Sequence, residues 1–318
     1  MDTDAASHRN IQVGRTRIHV VTQGHHGRDI VLLHGLPTHA YLWRHVQPAL
    51  AGESRTTAID LPGFGSSEPI ERQGDLAALT DVLDATLDAL GIHEPIFVAL
   101  DLGLLVALQW AARHPDRVPG IVMMEGFFLP MKVGWKALPM SSRLMMRLAR
   151  WPWLAERAIV GDNTAVARFL RSGVLRQLSA DEIARYADPW RDPTQRRQVW
   201  LHGINAGVLV PPSRGKGDAV DLIDRAARAL ERSATPKLLL TASPGMVVTP
   251  ATVDRARERL SNLKVVNIGA GKHFLPEDQP AAIAHEVGAF VRTLAPRRLS
   301  CEPPPENPAT YRSVAGHP

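Results

Sequence analysis

Asp101 stands where an apolar run, Ile96-Phe97-Val98-Ala99-Leu100, gives way to Leu102-Gly103 and a further apolar stretch of helical character. A strand that ends on a polar residue, has small residues two positions either side of it and turns at once into a helix has the pattern of a nucleophile elbow. The strained turn lifts the apex side chain above the sheet, and the small neighbours, here Ala99 and Gly103, let strand and helix approach. At this apex the group is a carboxylate. Aspartate before an apolar helix also serves as an ordinary N-cap, and the local sequence leaves both readings open. A second stretch, Val31-Leu32-Leu33-His34-Gly35-Leu36-Pro37, runs from a buried strand into a His-Gly-x-Pro loop. The backbone N–H of Leu36 and that of Leu102, directly after the apex, are the expected oxyanion donors, and His34 is read as a hydrogen-bonded structural histidine.

A base is expected from Val266-Asn267-Ile268-Gly269-Ala270-Gly271-Lys272-His273-Phe274, a last strand followed by a glycine-rich loop with one histidine. A lone loop histidine is usually only solvated, but one placed after the last strand fits the chain order nucleophile, acid, histidine. The orienting acid is sought at strand ends. Leu238 to Leu240 leads into Thr241-Ala242-Ser243-Pro244-Gly245-Met246-Val247-Val248, which has no carboxylate, whereas Ile121-Val122-Met123-Met124 ends directly in Glu125. Glu125 therefore takes the assignment, against the plainer reading of a strand-end carboxylate. No serine occupies an elbow, so serine hydrolysis is the least expected chemistry.

These groups need a sheet whose strand ends converge. Residues 10–22 alternate around Gly14 and predict an opening hairpin. Short apolar runs then recur at Ile30 to Leu33, Thr56 to Ile59, Ile96 to Leu100, Ile121 to Met124, Leu238 to Leu240 and Val265 to Ile268. Runs of this kind separated by helical segments predict a mostly parallel α/β sheet with helices on both faces. Helices are expected from Asp75 to Leu90, stopped by Gly91, and from Leu104 to Arg113, stopped before His114-Pro115. Residues 126–233 change to helices without strands and hold five of the seven tryptophans, Trp135, Trp151, Trp153, Trp190 and Trp200. They are read as a helical cap inserted into a core made of residues 1–125 and 234–295, with residues 296–318, rich in proline, as a mobile tail.

Composition excludes several classes. With 45% hydrophobic and 22% charged residues the 318-residue chain has the balance of a globular protein with a packed core. Its net charge of +5 is not gathered into a basic stripe or a recognisable nucleic-acid module. The single cysteine, Cys301, forbids an intramolecular disulfide and suits a reducing compartment. The opening residues lack the pattern of an export signal, and the longest apolar stretch, Pro95 to Ala112, is broken by Asp101 and Gly103, so a cytoplasmic protein without a membrane span is expected. No zinc-ligand cluster and no G-x-G-x-x-G after a strand is found, so neither metal nor organic cofactor is expected.

The chain resembles the haloalkane dehalogenases and, beyond them, the epoxide hydrolases, both of the α/β-hydrolase fold. The likeness runs to about Leu294 and is carried by His34-Gly35-Leu36-Pro37-Thr38 with Tyr41-Leu42-Trp43-Arg44, by Asp60-Leu61-Pro62-Gly63-Phe64-Gly65-Ser66-Ser67, by the Asp101 elbow, by Met124-Glu125, and by Gly271-Lys272-His273-Phe274 with Glu277-Asp278. The resemblance implies Asp101 as nucleophile, His273 as base and, as in one dehalogenase subgroup, Glu125 as acid. That subgroup grips the departing halide with an Asn in the His-Gly-Asn-Pro loop and a Trp after the nucleophile. This chain has Leu36 and Leu102 there, and an apolar side chain cannot donate to an anion. The first expectation is therefore an epoxide hydrolase opening a bulky hydrophobic epoxide to a diol through an Asp101 ester, with Tyr186, Trp151 or Trp153 serving the leaving oxygen. For each of these three, packing is the plainer role. The alternatives are a haloalkane dehalogenase with non-standard halide binding, and a non-hydrolytic binding protein or isomerase. A small hydrophobic substrate and water are the expected partners.

Overall fold

The computed structural model describes residues 5–130, 140, 153, 156–161, 164–205 and 218–295. Eight strands form one sheet: β1 (Ser7–Val13), β2 (Thr16–Gln23), β3 (Arg28–Leu33), β4 (Ser54–Ile59), β5 (Ile96–Leu100), β6 (Ile121–Met124), β7 (Lys237–Pro244) and β8 (Leu263–Gly271). Their order is β1-β2-β4-β3-β5-β6-β7-β8. The first two strands form the expected hairpin around Gly14, whose φ of 55° suits a residue without a Cβ. β2 also runs antiparallel to β4, and from β4 onward every pairing is parallel.

β5 and β6 are buried at every position. That is the consequence of covering both faces of a parallel sheet, and it explains why these strands read as unbroken apolar runs rather than alternating ones. Among the described residues the α-helices, in chain order, are α1 (Gln47–Leu50), α2 (Leu76–Ala89), α3 (Asp101–Arg113), α4 (Thr164–Ser172), α5 (Ala180–Ala187), α6 (Pro193–Asn205), α7 (Asp218–Arg232), α8 (Pro250–Arg259), α9 (Leu275–Asp278) and α10 (Pro280–Thr293). Asp75 caps α2 by accepting from Ala77 and Ala78 N–H at 2.8 and 3.1 Å, and Gly91, at φ 66°, follows its end.

Two expectations are corrected. The helix after β5 begins at Asp101 itself, three residues before the predicted start. The glycine-rich stretch before His273 is not a free loop: β7 continues through Pro244 past an irregularity between Thr241 and Ser243, and Ala270 and Gly271 of β8 pair with Ser243 and Pro244. The ladder therefore carries the chain to within two residues of His273, which a loop of glycines alone would leave poorly positioned.

Between β6 and β7 the described residues form helices and no strand. The predicted tail, 296–318, lies outside the described residues, as do Trp135 and Trp151. Among the described residues no helix is long and apolar enough to cross a membrane.

Candidate active site

The C-terminal ends of β3, β5, β6 and β7 bring four segments together. Asp101 sits at the β5–α3 turn with φ 48°, a left-handed conformation that strains any residue with a Cβ. Its carboxylate accepts from the backbone N–H of Leu36 at 2.7 Å, at Oδ2, and from that of Leu102. The side chain is thus turned across to the β3 loop, as an elbow residue rather than a conventional N-cap. The neighbours explain the small residues read in the sequence. A Cβ on Gly103 would fall 2.4 Å from the His34 carbonyl oxygen, and one on Gly35 would fall 2.4 Å from Asp101 Cβ and 2.6 Å from its Oδ2. Gly35→Ala therefore forces the β3 loop away from Asp101. A loss of activity on the order of a hundredfold is expected from misplacing one donor, measured as turnover of a folded variant.

His34 holds that loop. Its Nε2 accepts from Leu61 N–H at 2.9 Å and its Nδ1 lies 3.1 Å from the Gly35 carbonyl, so the neutral ring with the proton on Nδ1 satisfies both contacts. Burial drives its pKa down to about 4, in keeping with an uncharged structural role.

Glu125 follows β6 directly, is buried, and has φ 32°. Its Oε2 accepts from Met246 and Val247 N–H at 2.9 and 2.8 Å, and its Oε1 from Val248 N–H at 3.4 Å. The loop after β7 that lacks a carboxylate therefore contributes backbone donors that hold the carboxylate of the strand before it. Oε2 also stands 3.6 Å from His273 Nδ1, an ion-pair separation just beyond hydrogen-bond length. His273 is buried, and neither of its ring nitrogens has a hydrogen-bond partner among the described residues.

Burial raises the pKa of Asp101 above the usual carboxylate value, against the opposing pull of His273 and the two N–H donors. Burial alone would lower that of His273, but Glu125 and Asp101 outweigh it and leave the imidazole more basic than usual. A carboxylate held by two backbone N–H groups, near an imidazole that an acid faces, can attack an electrophilic carbon and then have its own ester hydrolysed.

The part of the site with no obvious signature in the sequence is what fixes His273. Gly173, just after α4, accepts from both His273 and Phe274 N–H at 2.9 Å through its carbonyl, and the Phe169 ring lies tilted against that of His273 with centroids 5.4 Å apart. Below this, Glu277 lies buried among Arg44, Arg176 and Tyr186. Both arginines also reach Glu182, at 2.6 Å each. Burial opposes ionisation of Glu277, but hydrogen bonds from Arg44, Tyr186 and Arg176 prevail and hold its pKa low. Asp278 adds bonds from Leu175, Arg176 and Lys272 N–H at 2.8, 3.1 and 3.0 Å. The cluster thereby fastens the segment bearing His273 to α5 and the α4–α5 turn. Glu277→Ala would leave Arg44 and Arg176 sharing Glu182 alone and the buried Tyr186 hydroxyl without its carboxylate. A loss of about 3–5 kcal/mol is expected, read by denaturant unfolding.

This cluster corrects one expectation. The Tyr186 hydroxyl donates to Glu277, and burial together with Glu277 raises its pKa well above the ordinary phenol value. Its proton is committed to a carboxylate and is not offered to a substrate. Trp153 is 66% exposed. Leu36 and Leu102 are both buried, and only their backbone groups can donate. Among the described residues no group of three or more His, Cys, Asp or Glu side chains is placed to hold a metal ion.

Residues 30–280 match the family model described as alpha/beta hydrolase fold. A haloalkane dehalogenase of Agrobacterium fabrum is 32% identical over 92% of this chain and 94% of its own length. One from Sphingobium indicum is 32% identical over 90% and 95%. The chain belongs to the haloalkane dehalogenase branch of the α/β-hydrolase superfamily. Solved dehalogenase structures agree. One from Agrobacterium tumefaciens superposes with a TM-score of 0.82 at 30% identity, covering 91% of this chain and 97% of its own. Another, from Bradyrhizobium elkani, gives 0.83 at 31%, covering 91% and 98%. The protein is thus a hydrolase of haloalkane dehalogenase type. The epoxide reading preferred from sequence gives way to its dehalogenase alternative, since these relatives are all named dehalogenases and Tyr186 is engaged elsewhere.

Proposed function

We propose that the protein cleaves carbon–halogen bonds in small hydrophobic haloalkanes by a covalent route through Asp101. The observation that carries this reading is the Leu36 N–H bond to one carboxylate oxygen, Oδ2, at 2.7 Å. It divides the carboxylate's labour. Oδ1 attacks the carbon bearing the halogen, the halide leaves with the bonding pair, and an alkyl ester forms in which Oδ2 is the carbonyl oxygen, already bonded to the Leu36 N–H. His273 then takes a proton from water, whose oxygen attacks Cγ, and the negative charge develops on Oδ2, where the Leu36 and Leu102 N–H groups stabilise it. On collapse Oδ1 departs with the alkyl group and receives the proton from His273. The water oxygen stays on Asp101, and the remaining carboxyl proton passes to solvent. Glu125 orients the imidazole and stabilises its charged form.

In this reading residues 126–233 are a cap over a core formed by 1–125 and 234–295, contributing Gly173 and the walls that exclude water. The similarity to named dehalogenases supports a haloalkane over an epoxide. The test is direct: incubate the enzyme with a panel of bromoalkanes and of aryl and alkyl epoxides, and measure halide and diol. Halide release well above the uncatalysed rate is expected. Diol without halide would return the reading to the epoxide.

A further inference from the structure

The proposed displacement leaves one need unmet. A departing halide requires a donor, and positions 36 and 102 carry leucines. The helix α6 holds a buried donor with nothing to bond. Gln198 has no exposure, and neither its Oε1 nor its Nε2 has a hydrogen-bond partner among the described residues. An unpaired buried amide is costly, and most such groups in folded proteins find partners. Its neighbour on the same helix makes the contrast plain. Arg196 is buried too, yet its guanidinium donates to the carbonyls of Val160, Gly161, Trp190 and Arg191, which fixes α6 in place.

The surroundings of Gln198 lead to the strand ends that bear the site. Its side chain lies on Gly63, where a Cβ would fall 2.6 Å from Gln198 Cγ. Gly63 and Phe64 follow β4, and the same turn gives Leu61 N–H to His34, the residue that braces the Leu36 loop. Phe64 packs on His34 at 5.4 Å and on Trp190 at 5.5 Å, and Trp190 Nε1–H donates to the Pro37 carbonyl at 2.9 Å, one residue beyond Leu36. One turn along α6, His202 is buried against Phe64 at 5.7 Å, with its Nε2 also unpartnered among the described residues. Gln198 and His202, four residues apart, thus share a face of α6 that packs over the β4 turn beside the oxyanion loop.

We infer that the side-chain amide of Gln198 is the leaving-group donor of this enzyme, contacting the halide as it departs from the substrate carbon. This rests on the displacement at Asp101 described above. A neutral amide suits the task, since it stabilises an anion without trapping it as a fixed cation would. The unpaired state of the amide is then the ground state of a group that finds its partner during the reaction.

The test uses the full-length protein carrying His273→Ala, in which ester hydrolysis is blocked and the amount of alkyl ester reports displacement alone. Rapid quench and intact-mass measurement with a bromoalkane and its chloro and iodo analogues give the rate of ester formation. Adding Gln198→Leu, or the closer isostere Gln198→Met, is expected to slow it on the order of a hundredfold, most for chloride, the poorest leaving group, and least for iodide. Inhibition by free bromide should weaken in the Gln198→Met single variant, and the thermal midpoint should hold or rise because an unpaired buried amide has been removed. Unchanged ester formation in both folded variants overturns the role of Gln198 while leaving the Asp101 route intact. A slower rate that is equal for all three halides, with a lowered thermal midpoint, also overturns it, as the mark of a structural residue. No ester in the His273→Ala parent overturns the underlying route, and the role of Gln198 with it.

Discussion

Asp101→Asn should abolish turnover and make the protein more stable. Removing a nucleophile that defines the route costs on the order of 10⁴ to 10⁶ in rate, so halide release should fall to background. The stability change follows from the raised pKa of Asp101, caused by burial. A carboxyl group whose folded pKa lies above its unfolded value contributes stability that is fully present below the unfolded value. That contribution is lost as pH rises through the folded value. Near neutral pH the ionised group therefore strains the fold relative to an uncharged isostere. Asparagine keeps a carbonyl oxygen for the Leu36 N–H without the charge. Thermal melting at pH 7 should show a higher midpoint for the variant, and the difference should shrink as the pH is lowered through the Asp101 pKa. A lower midpoint at pH 7 would mean that the strained turn is supported by the charge itself.

Glu125→Gln should lower the rate on the order of 10³ to 10⁴, by analogy with loss of the orienting acid in a hydrolase triad, and should move the pH profile in a defined direction. His273 must be neutral to accept a proton from water. Its pKa is depressed by burial but raised overall by Glu125 and Asp101. Alkylation cancels the Asp101 charge, so the imidazole in the ester intermediate is less basic than in the free enzyme. Ester hydrolysis should accordingly have its acid limb at a lower pH than the titration of His273 in the unreacted protein, as followed by NMR of the imidazole. Replacing Glu125 removes the second anion and leaves burial unopposed, so the acid limb should move lower still while the plateau drops. An acid limb displaced to higher pH in the variant would contradict the assigned roles. Glutamine retains a carbonyl oxygen for the Met246 and Val247 N–H groups, which separates the charge effect from collapse of the loop.

The legible parts of this molecule are those whose physics is local. Unbroken apolar runs marked the buried parallel strands, and Ala99 and Gly103 marked the close approach at Asp101, because side-chain volume is written in the residue itself. The choice between elbow and N-cap was not local. It turns on a φ of 48° and on a bond to Leu36, 65 residues earlier. Glu125 could be picked out because the loop after β7 lacks an acid. That this loop instead offers its backbone N–H groups to Glu125 has no signature in residue type, since every residue there carries the same donor. Glu277 and Arg44 lie 233 positions apart, and neither neighbourhood foretells the other. The role of Tyr186 was left between packing and leaving-group donor for the same reason: a hydroxyl's usefulness depends on its partner, and that partner sits 91 residues away. The tryptophans gave only a composition, and composition did not reveal that Trp153 is exposed while Trp190 is buried with its N–H on Pro37.

The proposed route requires that a carbon atom of the substrate becomes bonded to Asp101 and that His273 is needed only afterwards. Mass spectrometry of the His273→Ala variant after exposure to a bromoalkane tests both halves at once. A stable mass increase equal to the alkyl group, one equivalent of bromide per protein, and localisation of the added mass to Asp101 on peptide fragmentation are expected. Release of bromide with no mass added to the protein, or an alkyl group found on any other residue, would contradict it.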